Sequence, residues 1–307
     1  MNTVVPPPPS APPPPSQPPP PSQPPAPSPP PGRAATWWSR WREPLVAPLV
    51  VAVLLAATPF VWHQARQLFA GDAGPARILS TTVFRTDAQG GTYVFPDARD
   101  LTLRERRSAY LAEQSGSGTK TQHWFRSRGG VDPYESDVQV VLEGLRQDPV
   151  RITDLSVRAD CTAPLTGTLM LSPSAGADDS VRIGVDLDSP RRVPYLRDTS
   201  GKKRPYFPGH TISLAEKEQV VLDLVATTAR HYCSYTYRLT VLTQEGERSL
   251  DIDDHGKPFK VTAVPAKTVD GFRAKYPAFR RLYIGGVINP DGATNPWPRK
   301  DPKTFVS

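Results

Sequence analysis

Between Leu45 and Trp62 the chain runs for 18 residues without a charge, LVAPLVVAVLLAATPFVW. As a helix this run would be about 27 Å long at 1.5 Å per residue, close to the ~30 Å hydrocarbon core of a bilayer. Four Leu, five Val and one Phe within it contribute roughly −3 to −6 kcal/mol to insertion. Pro48 falls in the first turn, where its missing N–H costs nothing, and Pro59 falls in the last. Trp37, Trp38 and Trp41 flank one end and Trp62 the other, as an interfacial aromatic belt requires. More than forty residues precede the run, too many for the short charged region of a cleavable signal. A signal-anchor that divides the chain between two compartments is therefore expected. Arg33, Arg40 and Arg42 precede it and Arg66 and Arg77 follow it, which leans the N-terminus toward the cytoplasm.

The residues before the anchor repeat. PPPPSA, PPPPSQ, PPPPSQ and PPAPSP succeed one another from Pro6 to Pro29, and 18 of the 38 prolines lie between Pro6 and Pro31. Proline fixes φ and removes the backbone donor, so neither helix nor sheet can form. Polyproline II, with three residues per turn, places Ser10, Ser16, Ser22 and Ser28 along one edge. The tail reads as a semi-rigid spacer, or as a docking strip for a proline-binding partner.

From Val131 onward the hydrophobic period is two. Val138, Val140 and Leu142 share one face of SDVQVVL, and Val181, Ile183, Val185 and Leu187 share one face of VRIGVDLD. In HYCSYTYRLTVL, residues Cys233, Tyr235, Tyr237, Leu239 and Val241 oppose Tyr232, Ser234, Thr236, Arg238 and Thr240. Further strands are expected at 150–158, 165–171, 211–215, 219–226, 248–252 and 258–264, separated by turn chemistry such as TQEGE and DDHGK. Eight or nine short strands with half-buried alternation predict a mainly β fold, an antiparallel β-sandwich of immunoglobulin-like general architecture. A barrel is the alternative closure.

Upstream, ILSTTVF has strand character, DLTLRERRSAYLAEQ has helical composition with Asp100 placed to cap it, and SGSGT reads as a break. The chain thus divides into a disordered proline-rich tail (1–36), a transmembrane helix with interfacial flanks (37–66), a stalk and mixed connector (67–129), a β-sandwich (130–265) and a basic, aromatic extension (266–307). Cys161 ends one expected strand and Cys233 lies on the apolar face of another, 72 residues on. Outside the reducing cytosol the two are expected to bond, worth about 4 kcal/mol in the chain-entropy model. Two separate buried thiols are the alternative.

The segments SRGGVDPYESDVQVVLEG, PVRITDL, IGVDLDS, TISL, HYCSYTYRLTVL and DDHGKPFKVTA, with LYIGGV and DPKTF near the C-terminus, resemble a group of uncharacterised actinobacterial membrane proteins. The likeness covers roughly residues 126–265. It implies a single membrane span with an extracytoplasmic β domain, and it brings no activity and no functional residues.

The chemistry-bearing motifs are sparse. G-x-S-x-G, H-E-x-x-H and phosphate-loop patterns are missing, and no cofactor is expected. In DIDDHGKPFKVT, Asp251, Asp253 and His255 alternate, so an extended strand would place them on one face as weak metal-ligand candidates. The segment starts like a calcium loop, but Thr262 stands where a bidentate Glu should close it. Lys202, Lys203 and Arg204 sit beside Tyr206 and Phe207. Arg273, Lys275, Arg280 and Arg281 interleave with Phe272, Tyr276, Phe279 and Tyr283. Charge and aromatic faces together suit an anionic envelope polymer or headgroup layer, or else the aromatics simply cover the sandwich edge. The net charge of +7, from 37 basic and 30 acidic residues, agrees with either. Nucleic acid is not an expected partner outside the cell.

The expected function is a membrane-anchored binding or interaction protein, bound to the bilayer through residues 45–62, with the tail as a cytoplasmic spacer or docking strip. A structural subunit of a larger membrane assembly is the alternative. A cell-envelope hydrolase is a further one, and its acids would have to come from Asp186, Asp188 and 251–254, converging in one cleft.

Overall fold

The computed structural model describes residues 74–85, 91–173, 182–197, 200–271 and 273–307, all within a compact unit from Ala70 to Ser307. The proline-rich tail and the expected membrane helix at 45–62 lie outside the described residues, as do Val181 and Phe272. Among the described residues no helix is long and apolar enough to cross a membrane.

In chain order the first strands are β1 (Ala76–Phe84), β2 (Tyr93–Phe95), β3 (Asp132–Pro133), β4 (Glu135–Gly144), β5 (Val150–Thr162) and β6 (Thr168–Leu171). There follow β7 (Ile183–Asp186), β8 (Tyr195–Arg197), β9 (Lys203–Pro205), β10 (Ile212–Leu214), β11 (Gln219–Thr227) and β12 (Tyr232–Thr243). The last are β13 (Gly246–Ile252), β14 (Phe259–Thr262), β15 (Lys267–Asp270), β16 (Arg273–Lys275), β17 (Arg281–Ile284) and β18 (Arg299–Lys300). Helices α1 (Leu103–Gln114) and α2 (Gly118–Arg126) lie between β2 and β3.

The fold is mainly β and sandwich-like. One six-stranded sheet has the order β1–β4–β11–β7–β8–β9, the other β10–β5–β12–β14–β3 with β13 also on β12. A single apolar cluster draws on both, with Val138, Val140, Leu142 and Leu224 from the first and Ile152, Leu155, Tyr237 and Leu239 from the second. Strand β12 shows why these residues choose this fold. Its burial alternates along ten residues, and Cys233, Tyr235, Tyr237, Leu239 and Val241 are the buried set, because successive side chains point to opposite faces. The sheets are mixed rather than purely antiparallel, since β7–β11, β3–β14 and β6–β17 are parallel pairs.

β12 pairs antiparallel with β5, placing Cys233 opposite Cys161. The two are bonded, with Cα atoms 4.1 Å apart. A bulge beside Thr240 shifts the register farther along the same pair.

The boundaries expected at 130 and 265 do not coincide with strand pairing. β1, in the expected stalk, pairs with β4 along most of its length. β2 and β17, from the two expected flanks, both join β6 in a four-stranded sheet ordered β18–β17–β6–β2. This small sheet is buried on both faces. Tyr93, Phe95, Met170 and Tyr283 enter one cluster with Trp124, Phe125 and Trp297. Val94, Leu169, Leu171, Leu282 and Ile284 enter another with Tyr276 and Phe279. A strand covered on both sides has no polar alternation, so YVF, TLML and RLYI give little periodic signal.

The cap of α1 is Thr102, not Asp100. The Thr102 hydroxyl accepts from the Glu105 N–H, and the Glu105 carboxylate reaches back to the Thr102 N–H, a capping box. Asp100 instead accepts hydrogen bonds from Arg281 and Arg299. The expected break at SGSGT is a helix start, because Ser117 caps α2 by accepting from the Lys120 N–H.

The disulfide ties neighbouring strands of the sandwich, so its removal is expected to cost about 2–5 kcal/mol. A Cys161→Ala/Cys233→Ala chain in detergent, titrated with urea and followed by near-ultraviolet circular dichroism, should unfold at lower urea. An unchanged midpoint contradicts this.

Candidate functional site

A cluster of polar groups lies where the small sheet meets the two helices. A cleft of about 640 Å³ opens there, within the range of small-molecule sites. Tyr110 and Glu113 of α1 and Thr121 and Gln122 of α2 form one side. Ser172, Gly286, Asn289 and Trp297 contribute from the segments that leave β6 and β17 and from the C-terminal loop.

Strand pairing brings the second side together. β6 and β17 run parallel in register from Thr168–Arg281 to Leu171–Ile284, so the next residues on both, Ser172 and Gly285, emerge side by side. The Gly285 N–H donates to the Leu171 carbonyl at 2.8 Å. Gly286 then takes φ +55°, a region that glycine enters without strain. A Cβ at Gly286 would collide with the Ser172 hydroxyl.

At the centre is a hydrogen-bonded chain. The Ser172 hydroxyl donates to Glu113 Oε1, and the Gly286 backbone N–H lies close enough to lower the proton affinity of the same carboxyl. The Ser172 N–H donates to Thr92 Oγ1 at 3.0 Å, and the Thr92 carbonyl accepts from Arg85 Nη1 at 2.5 Å. Burial pushes the Glu113 carboxyl above its ordinary range, although the Ser172 bond and the Gly286 backbone pull the other way. Its place in the last turn of α1, where the helix dipole is negative, acts in the same direction as burial.

Three buried polar atoms of cleft residues have no hydrogen-bond partner among the described residues: Arg85 Nη2, Glu113 Oε2 and Trp297 Nε1. The Arg85 side chain is 5% exposed and Trp297 is fully buried. Buried polar groups are nearly always satisfied, and each exception costs about 1–3 kcal/mol. Trp297 also holds φ +45°, an uncommon conformation for a bulky side chain and one associated with functional sites. Behind the cleft, the single Asp132 carboxylate faces two guanidiniums, Arg85 at 3.7 Å and Arg126 at 2.8 Å. Burial and the neighbouring Asp132 push the Tyr93 hydroxyl up to about 12, so it stays protonated at all ordinary pH.

A second polar cluster joins the turns after β7 and β11. Asp188 Oδ1 accepts from the Thr228 hydroxyl at 2.9 Å and lies 2.7 Å from His231 Nδ1, while Oδ2 accepts from the Ala229 N–H at 2.7 Å. Desolvation raises the Asp188 carboxyl, but the bonds from His231, Ala229 and Thr228 outweigh it and leave it below the ordinary range. This cluster fixes the imidazole orientation and borders a more open hollow of about 520 Å³ that Asp186 and Lys203 share.

The residues singled out from sequence go elsewhere. Asp251, Asp253 and His255 do not share a face, because β13 ends at Ile252 and the chain turns. Asp251 pairs with Arg238, whose hydrogen bond holds its carboxyl low. Asp253 accepts from the Gly256 N–H at 2.8 Å, and His255 sits at φ +54° in that turn. Among the described residues no group of three or more His, Cys, Asp or Glu is placed to hold a metal. The acids that a hydrolase would need do not converge, since only Asp186 and Asp188 line one hollow, and Asp251 and Asp253 engage other partners.

Among the basic residues, Lys203 pairs with Asp186 at 3.1 Å, and Lys202 and Arg204 each engage a neighbour. Arg273 pairs with Asp270 and Arg281 with Asp100. Lys275 is half-buried in β16, and Arg280 is exposed. The aromatics expected to lie between them as a stacking face point inward, for Tyr276, Phe279 and Tyr283 are all buried. Their apolar area is worth more in the core than beside charges in water. Glu113, Ser172, Arg85 and Trp297 were not legible as a site. The nearest signal is the Gly285–Gly286 pair directly after an apolar run.

No family model matches this chain, and no curated protein does either.

The buried Glu113 carboxyl carries a stability signature. Because the folded state holds its proton more tightly than the unfolded chain, stability falls as pH rises between the unfolded and folded pKa values. Glu113→Gln keeps the shape and removes that titration. The variant should therefore melt at a higher temperature than the parent at pH 8, with the difference shrinking toward pH 4. A difference independent of pH counts against a buried, proton-retaining carboxyl.

Proposed function

We propose that this chain is a membrane-anchored binding protein that presents its β-sandwich outside the cell and takes a small polar ligand in the Glu113–Ser172 cleft. The observation that carries the binding role is the cleft of about 640 Å³ beside the partly buried Glu113–Ser172 hydrogen bond. The anchoring rests on the uncharged run 45–62 between its tryptophans. The bonded Cys161–Cys233 pair suits an oxidising compartment. The tail from Pro6 to Pro31 acts on the cytoplasmic side as spacer or docking strip. The finer immunoglobulin-like reading of the sandwich belongs to the same proposal, as does kinship with the actinobacterial single-pass proteins that the segments resemble.

Two measurements test the two halves. Protease added to intact cells should remove a C-terminal epitope and spare an N-terminal one, and the reverse pattern overturns the orientation. Full-length protein purified from its own membrane and then denatured should release a small polar molecule that a Glu113→Ala/Ser172→Ala chain does not retain. Identical release from both overturns the cleft as the binding site.

A further inference from the structure

Helix α1 is held on two sides and bare on a third. Ala109 packs into the small-sheet core, Ser108 accepts from Trp124 Nε1 at 2.8 Å, and the Thr121 hydroxyl donates to the Ala112 carbonyl at 2.9 Å. On the other flank Arg106 Nη1 donates to the Pro296 carbonyl at 3.4 Å. The remaining face carries Leu103, Arg107, Leu111 and Gln114, spaced i, i+4, i+8 and i+11, with Arg104 beside them. All five are exposed, and Leu103 and Leu111, at 58% and 61%, are the most exposed leucines among the described residues. Neither Arg104 nor Arg107 has an ion-pair or hydrogen-bond partner among the described residues. Both acids of the helix lie off this face, Glu105 in the capping box and Glu113 against Ser172.

A single exposed leucine needs no explanation, but two on one helical strip between unpaired guanidiniums make a patterned surface. Its chemistry selects among occupants. A dissolved polyanion would pair with the arginines and leave both leucines in water. An apolar protein face would bury the leucines and strand two guanidiniums, which is costly. The surface of an anionic bilayer meets both needs, with phosphates at headgroup depth and acyl chains just below, as it does for basic amphipathic helices. Arginine stems cover apolar surface while their heads stay with the phosphates.

The bilayer is also at hand. On the anchoring proposed above, residues 45–62 hold the chain there, which makes docking intramolecular, at an effective concentration on the order of millimolar. The eleven residues 63–73 reach at most about 36–40 Å. Helix α2, against which α1 packs, meets the far end of β1, where Arg126 donates to the Val83 carbonyl at 2.7 Å. The nine residues of β1 measure about 30 Å, so the tether is long enough for α1 to return to the surface. We infer that α1 is a second membrane contact, docking its Leu103–Arg107–Leu111 face on an anionic headgroup layer. This rests on the anchoring and not on the cleft.

The test uses the full-length chain in nanodiscs of phosphatidylcholine with or without phosphatidylglycerol, each doped with doxyl-labelled lipid. Cys161 and Cys233 are bonded, so Leu111→Cys gives a single thiol for an environment-sensitive NBD label. With phosphatidylglycerol the label should shift to the blue and be quenched by the doxyl groups, and without it both effects should weaken. Each basic residue near an anionic surface is worth about a five-fold change in binding, so Arg104→Gln/Arg107→Gln should lower the ratio of docked to free α1 about 25-fold. A label that stays in water in both discs overturns the inference, as does quenching that the double substitution leaves unchanged. A label wet in the discs but shielded in native membranes also overturns it, and gives the face to an acidic protein partner. Alkaline carbonate extraction separates the two readings. Release without detergent sinks the anchoring and this inference with it, whereas a retained chain with a wet label sinks the docking of α1 alone.

Discussion

The parallel pairing of β6 with β17 holds together the end of this molecule that carries the cleft. Two strands more than a hundred residues apart run side by side in register, and their C-terminal ends deliver Ser172 and Gly286 to the same place. Parallel neighbours leave the sheet at the same edge, so loops that follow them converge. Ligand sites of α/β proteins exploit the same geometry at strand C-termini. Here α1 supplies Glu113 from above that edge, and a network through Thr92 links it to Arg85 and the Asp132 ion pairs. A change in the β6–β17 register by one residue would exchange the two faces of the sheet and dissolve the cleft with them.

The sandwich was legible in the sequence, whereas of the small sheet only β6, inside the strand expected at 165–171, was. β4 from Val138 onward and β12 have one face in the core and one partly wet, and their side chains alternate accordingly. β2, β6 and β17 are covered on both sides, so apart from Thr168 and Arg281 at two strand starts their residues are apolar, and short runs of that kind carry no period. Segments on either side of the sandwich therefore looked like appendages, although they form a sheet with its own two clusters. The cap of α1 shows the same limit at smaller scale. Asp100 has the right chemistry, but the capping box closes on Thr102 and Glu105, and Asp100 bridges Arg281 and Arg299 from the far end of the chain. Sequence adjacency could not reveal partners about 200 positions away.

The candidate site was hidden for a related reason. Glu113 sits in a helix that reads as a polar surface helix, and Ser172 follows an apolar run like any turn residue. Neither belongs to a motif. Only folding places Glu113 against Ser172, and only burial gives the carboxyl its altered proton affinity. In contrast, the motifs that drew the eye in the sequence were dispersed. The alternating acids of DIDDHG fall on a strand end and a turn, and the aromatics of the C-terminal basic segment fill the core while two of its arginines pair with carboxylates.

Glu113 and Ser172 act as one unit across the cleft, although 59 positions separate them. A double-mutant cycle on unfolding free energy, with Glu113→Ala, Ser172→Ala and the double substitution in the full chain, reads that coupling directly. It should give a coupling of about 0.5–3 kcal/mol, as residues in one hydrogen-bonded network do. Effects that simply add to within about 0.3–0.5 kcal/mol would show that the two side chains do not meet, and the cleft described above would not exist.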